Sequence, residues 1–212
     1  MNRTETKFHN YNNGYLLIKR LFDVVISLIG LIISSPIILV TSVAILIDDF
    51  GPVFYSQTRI GKNGKEFKIL KFRSMYIDAD KEKIGLIEQN EVDGAMFKIQ
   101  DDPRVTRVGN YIRRHSIDEI PQLINVLIGD MTLVGPRPPL PEEVKQYTDY
   151  DLNRLVVKPG CTGLWQVSGR NALDFDEMVE LDLTYIKDAS MLLDFKICIK
   201  TVWIMICPNN AY

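Results

Sequence analysis

Asp118 and Glu119 stand side by side in "HSIDEIPQLINVLIGDMTLVGPRP", residues 115–138, with Arg113 and Arg114 just before them and Arg137 between prolines at the far end. Adjacent carboxylates among arginines suit two kinds of work. One is chemical: a carboxylate acts as nucleophile or base while guanidinium groups hold an anion. The other is structural. Ser116 followed three residues later by Glu119 spells a capping box, and Ile117, Ile120, Leu123, Ile124 and Leu127 recur at helical spacing behind it. Pro121 falls in the first turn, where its missing N–H has no helical partner to lose. A cap at Ser116 would put Asp118 at the second helical position, where unpaired N–H groups and the helix dipole favour anions. The cap and the reactive centre are compatible readings of the same residues.

Other residues offer to hold a ligand. Arg104, Arg107, Arg113 and Arg114 precede the acid pair closely; they suit either a forked grip on a diphosphate or a solvated surface. Whether Arg113 meets Asp118 depends on a turn the sequence does not reveal. "LVGPRPPLP" holds Arg137 in an extended, proline-stiffened loop. "KPGCTGLWQVSGRN", residues 158–171, gathers three glycines with Gln166, Arg170 and Asn171. It reads as a ligand loop, in which glycine admits close approach and the three polar side chains offer hydrogen bonds, or as a tight structural turn. It lacks GxxxxGK[ST], which excludes a P-loop.

These residues need elements to position them. Val24 to Ile47 contains no charged residue, and at ~1.5 Å per residue it is long enough for the ~30 Å core of a bilayer. Ser34, Ser35 and Pro36 interrupt it, and a proline there should bend or break the helix. A kinked span, a helix-break-helix returning to the same face and a buried helix pair all fit the hydropathy. Lys19 and Arg20 lie before the segment, while Arg59, Lys62, Lys65, Lys68, Lys71 and Arg73 lie after it. A single span would put one basic flank on the wrong side, so charge favours the re-entrant form. Asp23 is spaced to pair with Arg20 at headgroup level.

Residues 53–72 read as a β-hairpin turning at Asn63–Gly64, the pair suited to the positive φ angles of a type I′ turn. Its lysines form a solvated face or one that meets anionic lipid. Residues 189–206 mix apolar side chains with Lys196, Lys200 and Trp203, as in a helix lying on a membrane or one packed on the core.

The 212 residues suffice for one domain plus a membrane element. A net charge of -2 gives no nucleic-acid bias. Three cysteines and two histidines form neither a disulfide framework nor a zinc pattern, so reduced thiols in a cytosolic setting are expected. The first eighteen residues lack the apolar core of a secretory signal and are expected to form a loose tail.

Taken in order, "KRLFDVVISLIGLIISSP", "KILKFRSM", "IDEIPQLINVLIGDMTLVGPRP", "VKPGCTGLWQVSGRN" and "LDLTYIKD" resemble the bacterial sugar transferases, the monotopic phosphoglycosyl transferases that act on polyprenyl phosphate. The resemblance runs from about Lys19 onward, and the chain looks like the small form, a catalytic core without additional transmembrane helices. Ile120 and Thr132 replace the more usual leucine and serine, neither touching a charge.

The resemblance implies an α+β fold: a flexible tail over 1–18, a re-entrant membrane helix over 19–50, and a mostly helical catalytic domain over 51–212 with a small hairpin and interfacial helices. It implies a protein on the cytoplasmic face of the bacterial inner membrane, in contact with its lipid, that takes a UDP-sugar and undecaprenyl phosphate; a homodimer is compatible with it. Asp118 would be the nucleophile, Glu119 would hold Mg²⁺, and Arg113 and Arg137 would clamp phosphate. Lys19, Arg20 and Asp23 would anchor the helix at the headgroups, with Ser35–Pro36 as its break. The competing reading is a catalytically silent, membrane-tethered scaffold in which the acids only cap a helix. Direct attack by the lipid phosphate, without an intermediate on Asp118, is a third.

Overall fold

The computed structural model describes residues 11–82, 85–86, 99, 102–169 and 173–206. Helix α1 spans Asn13–Asp48, 36 residues, and is long and apolar enough to cross a membrane. Asn12 caps it by accepting from the Gly14 N–H. Residues 13–18, assigned by sequence to the tail, are therefore its first turns.

The expected break at Pro36 is not formed; helical conformation runs through it. Proline leaves the carbonyl four residues earlier without its donor. That carbonyl belongs to Ile32, and the Ser35 hydroxyl donates to it at 2.8 Å, while the Ser34 hydroxyl donates to Gly30 at 2.6 Å. Serine hydroxyls beside a proline thus replace the missing bond.

The faces of α1 are distributed as in a membrane protein. Toward the rest of the chain it buries Asp23, Ser27, Ser34, Thr41 and Ile45, mostly small or polar. Outward it exposes Leu17, Leu21, Ile32, Ile33, Val40 and Ile47. Small residues let backbones approach: a Cβ on Gly30 would stand 3.0 Å from Leu123.

Two antiparallel strands follow, β1 (Phe54–Ile60) and β2 (Glu66–Phe72), with Phe54 opposite Phe72 and Ile60 opposite Glu66. Asn63 (φ 57°) and Gly64 (φ 78°) form the turn, closed by Lys65 N–H to the Lys62 carbonyl. That is the type I′ geometry expected of Asn-Gly. Short helix α2 (Ala79–Glu82), α3 (Arg107–Arg114) and α4 (Gln122–Ile128) lead to β3 (Thr132–Val134). Short α5 (Pro141–Val144) then precedes β4 (Gly160–Thr162), which pairs parallel with β3; α6 (Leu164–Ser168), α7 (Phe175–Asp188) and α8 (Met191–Ile206) complete the chain. The main core joins Ile69, Val126, Met131, Val134, Val179 and Ile186, so the hairpin, α4, β3 and α7 share one apolar interior. Arg154 and Asp182 form a buried ion pair of 2.7 Å inside this body.

Both ends of α1 are tied to this same body. At one end Lys19 donates to Asp194 of α8 at 2.7 Å, and Arg20 donates to the carbonyls of Val126 and Leu127 at 2.6 and 2.8 Å. Asp23 accepts from the Thr132 hydroxyl at 2.7 Å and the Leu133 N–H at 3.0 Å. This corrects two expectations: Arg20 and Asp23 do not pair with each other, and the trio faces protein rather than headgroups. Arg20 serves the unpaired carbonyls at the end of α4, and Asp23 fixes β3. At the other end Ile45 packs with Phe72 and Ile112, Asp48 accepts from the Val108 N–H, and Asp49 pairs with Arg73 at 2.8 Å.

Candidate active site

The acid pair is placed by a reversal. Helix α3 ends at His115, and Ser116 takes the left-handed conformation (φ 55°), which turns the chain back into a single 3-10 turn, Ile117–Glu119. This brings Arg113 of α3 close enough to draw the Asp118 carboxyl down. The capping box is not built: the Ser116 side chain makes no cap, and α4 begins only at Gln122. The helix-dipole argument for Asp118 falls with it, since one 3-10 turn carries little macrodipole.

Strand β2 supplies the central cation. Alternation puts Phe67, Ile69 and Lys71 on one face, and Ile69 is buried. Asn125 of α4 clips this strand in place, accepting from the Leu70 N–H at 2.9 Å and donating to the Lys68 carbonyl at 2.7 Å. Lys71 then reaches Glu119 at 2.7 Å and stands 3.9 Å from Asp118. Lys71 has no assigned role in the sequence reading. The signal was available as a lysine in register with apolar Phe67 and Ile69, but hydropathy placed it among flank charges.

The two carboxyls sit in different environments. Asp118 is buried, which pushes its pKa up to about 6; Lys71 opposes this and the neighbouring Glu119 adds to it. Glu119 is partly exposed. Burial raises its carboxyl too, but Lys71, Arg137 and a hydrogen bond from Gln122 hold it below the ordinary glutamate value. The pair separates into a poised carboxyl and a firmly ionised one.

Arg137 leaves the end of β3 in a loop held on both sides. Gly135 donates to the Thr162 carbonyl, Gly160 to the Pro136 carbonyl and Ile60 to the Pro139 carbonyl, each at 2.9 Å. Glycine here serves the approach of two backbones: a Cβ on Gly160 would lie 2.1 Å from the Gly135 nitrogen. Gly160 and Gly163 therefore serve close backbone approach rather than a tight turn: Gly160 begins strand β4, Gly163 is extended, and a Cβ on Gly163 would also strike the Gly135 carbonyl at 2.6 Å. Gln166 is half-buried on α6, beside Gly163. Arg170 and Asn171 lie outside the described residues.

The remaining arginines sort by commitment. Arg104 is buried in an ion pair with Asp102 at 2.6 Å. Arg107 and Arg114 lie exposed on the outer face of α3, where with Asn110, Tyr111 and His115 they line an open cleft of about 540 Å³. Arg113 and Arg137 are half-buried beside the acid pair, and neither makes an ion pair among the described residues. Two uncommitted guanidinium groups around a carboxylate pair are what a phosphate-bearing substrate requires.

The family model described as bacterial sugar transferase matches residues 14–208. The chain belongs to this family. Among its curated relatives, the galactosyl transferase CpsE of Streptococcus agalactiae serotype III is 46% identical over 206 residues, covering 97% of this chain and 45% of that protein. The undecaprenyl-phosphate galactose phosphotransferase of Salmonella typhimurium is 42% identical, covering 92% of this chain and 42% of that protein. The exopolysaccharide production protein ExoY of Sinorhizobium fredii is 40% identical, and there the match covers 92% of this chain and 88% of the relative. The chain thus spans under half the length of the first two sugar transferases and most of the third.

Proposed function

We propose that this chain transfers a sugar-1-phosphate from a UDP-sugar to undecaprenyl phosphate, releasing UMP and leaving a polyprenyl-diphosphate-linked sugar. The product would open a surface glycan pathway such as capsule, exopolysaccharide, O-antigen or glycoprotein synthesis. One observation carries the reading: a buried carboxylate, Asp118, stands beside a lysine-bound glutamate, with the uncommitted Arg113 acting on Asp118 and Arg137 on Glu119. The name of the Salmonella relative supports the acceptor class and a sugar as the transferred group.

In the first step an Asp118 oxygen attacks the sugar-side phosphorus. The P–O bond to UMP breaks, and its electron pair departs on UMP. In the second step an oxygen of undecaprenyl phosphate attacks the same phosphorus, the acyl-phosphate bond breaks, and the Asp118 carboxylate is regenerated. A carboxylate suits this route because an acyl phosphate remains reactive toward a second phosphate. Arg113, next to Asp118, would hold the reacting phosphoryl oxygens, and Arg137 the rest of the diphosphate. Lys71 lowers the Asp118 pKa against its burial, so that the nucleophile is ionised above about pH 6.

Mg²⁺ fits the donor set. It accepts one or two protein carboxylates and completes its shell with water and substrate phosphate oxygens. Glu119, partly exposed and firmly ionised, with Asp118 beside it, offers that set. When bound there, the ion would neutralise diphosphate charge.

We place the protein on the cytoplasmic face of the inner membrane, and the placement of α1 supports a monotopic attachment. Its two ends are held by one globular body, and its outward face is apolar. Exposed Leu192, Phe195, Ile199, Val202, Trp203 and Ile206 form a similar stripe along α8, suited to an interfacial helix.

The test is UMP release from a panel of UDP-sugars with Mg²⁺, with and without undecaprenyl phosphate, alongside intact-mass analysis. A sugar-phosphate increment present in the wild type and absent in Asp118→Asn is the expected result. UMP release that depends strictly on the lipid phosphate, without any increment on the protein, would replace the covalent route by direct attack.

A further inference from the structure

Among the described residues, Arg59 is a buried cation whose hydrogen-bond partners are all neutral. On β1 it is 7% exposed, and its guanidinium donates to the Pro138 carbonyl and the Gln57 side-chain oxygen, both at 3.0 Å. Its Nε–H is buried and has no hydrogen-bond partner. Other buried arginines in this chain meet carboxylates: Arg154 meets Asp182, Arg104 meets Asp102 and Arg73 meets Asp49. Burying a charge is costly unless an opposite charge compensates it. Arg59 instead has Arg137 close by, a like charge that together with burial drives the guanidinium pKa down to about 10; Glu143 and Glu119 offset this only from a distance.

The charges around the site fall into an order. Asp118 responds most to Lys71, Glu119 and Arg113; Glu119 responds to Lys71 and Arg137; Arg59 responds to Arg137, Glu143 and Glu119. Arg113 thus acts on Asp118, while Arg137 acts on both Glu119 and Arg59. The Pro138 carbonyl that Arg59 holds directly follows Arg137, and Ile60 beside Arg59 donates to the Pro139 carbonyl, so strand β1 and the Arg137 loop are tied together at this point. A donor diphosphate with its reacting phosphate at Asp118 would bring its other phosphate toward Arg137 and Arg59.

We propose that Arg59 and Arg137 form a two-guanidinium cradle for the phosphate that departs with the nucleotide, the free Arg59 Nε–H donating to one of its oxygens. The inference rests on the transfer reaction proposed above. It makes Arg59 a binding residue, where a purely structural role would make it only a strut between the hairpin and the Arg137 loop.

The test measures UMP, uridine and the acceptor separately on the full chain in detergent. In Arg59→Gln the dissociation constant for UMP should rise about tenfold or more, with uridine binding and the acceptor KM unchanged, as expected for loss of a charge-assisted bond to phosphate. Arg59→Lys, which keeps the charge without the fork, should fall between. UMP affinity within about twofold of wild type in a folded Arg59→Gln would overturn the proposal. A rise in acceptor KM with UMP affinity intact would overturn it too, by giving the cradle to the lipid phosphate. Should both variants fail to fold, ¹⁵N spectra of arginine side chains in the wild type decide: UMP must shift a buried arginine Nε–H, and no perturbed Nε–H overturns the cradle. UMP binding needs no turnover. A protein that transfers nothing yet binds UMP through Arg59 would fail the proposed reaction and keep the cradle.

Discussion

Asp118 sets reactivity against stability. Its carboxyl titrates at about 6 in the fold and near ~4 in the unfolded chain. The folded state therefore binds the extra proton between those values, and stability falls as pH rises from ~4 through ~6. A shift of about two units corresponds to ~2–3 kcal/mol. Asp118→Asn should abolish transfer while matching or exceeding wild-type stability at pH 8, with the gap closing toward pH 4; thermal melts at the two pH values measure this. Turnover of the wild type should rise through about pH 6 as Asp118 ionises. Lys71→Met removes the charge that lowers Asp118, so the rising limb of its rate profile should move to higher pH. An unmoved limb would assign that ionisation to another group.

At the scale of elements, the Ser116 reversal replaces the helix cap. A non-glycine residue at φ 55° is strained, and no cap bond offsets it. Ser116→Gly should therefore be about 1 kcal/mol more stable than Ser116→Ala, as read from melting temperatures. Ser116→Gly should also match or exceed the wild type, whereas at a true N-cap it would cost roughly a few tenths of a kcal/mol. The docking of α1 rests on a buried network: Lys19 donates to the Val134 carbonyl and to Asp194, the Tyr185 hydroxyl donates its one proton to Asp194 at 2.7 Å while lying 2.8 Å from the Val134 carbonyl, and Tyr15 also donates to Asp194. Asp194→Asn leaves Lys19 nearly buried and unpaired, which should cost about 3 kcal/mol. Replacing both partners by apolar residues, Lys19→Met with Asp194→Leu, should recover much of that loss; equal damage in the single and double variants would show that the network acts through its polar bonds to Val134 and Tyr15.

For the molecule as a whole, one helix is bound at both ends by one body. Single cysteines at positions 14 and 50, in a cysteine-free background, should react with an impermeant thiol reagent from the same side of the membrane. Labelling from opposite sides would mean a true span and would require α1 to detach at one end. The apolar faces of α1 and α8 should act together at the lipid. Phe195→Glu with Trp203→Glu should lift α8 from the lipid, read as faster aqueous labelling of a cysteine at position 199, while α1 stays embedded, since each lost aromatic removes on the order of 1–3 kcal/mol of burial.

The sequence alone determined what local rules govern. Period-two alternation and Asn63–Gly64 specified the hairpin and its turn, hydropathy specified α1, and the ordered motifs specified the family and named Asp118, Glu119, Arg113 and Arg137 as the candidate groups. Tertiary structure decided what depends on residues far apart in the chain. Ser116 yields its capping potential because a reversal that returns Arg113 to Asp118 serves the packing of α3 better. Pro36 does not break α1 because neighbouring serines bond the freed carbonyl and the helix is held at both ends. Lys19, Arg20 and Asp23 look like headgroup anchors in one dimension, yet their partners are Asp194, the end of α4 and β3, more than a hundred residues away. Lys71 and Arg59 read as flank charges in the sequence for the same reason: a charge acquires its meaning from what burial and the fold place beside it.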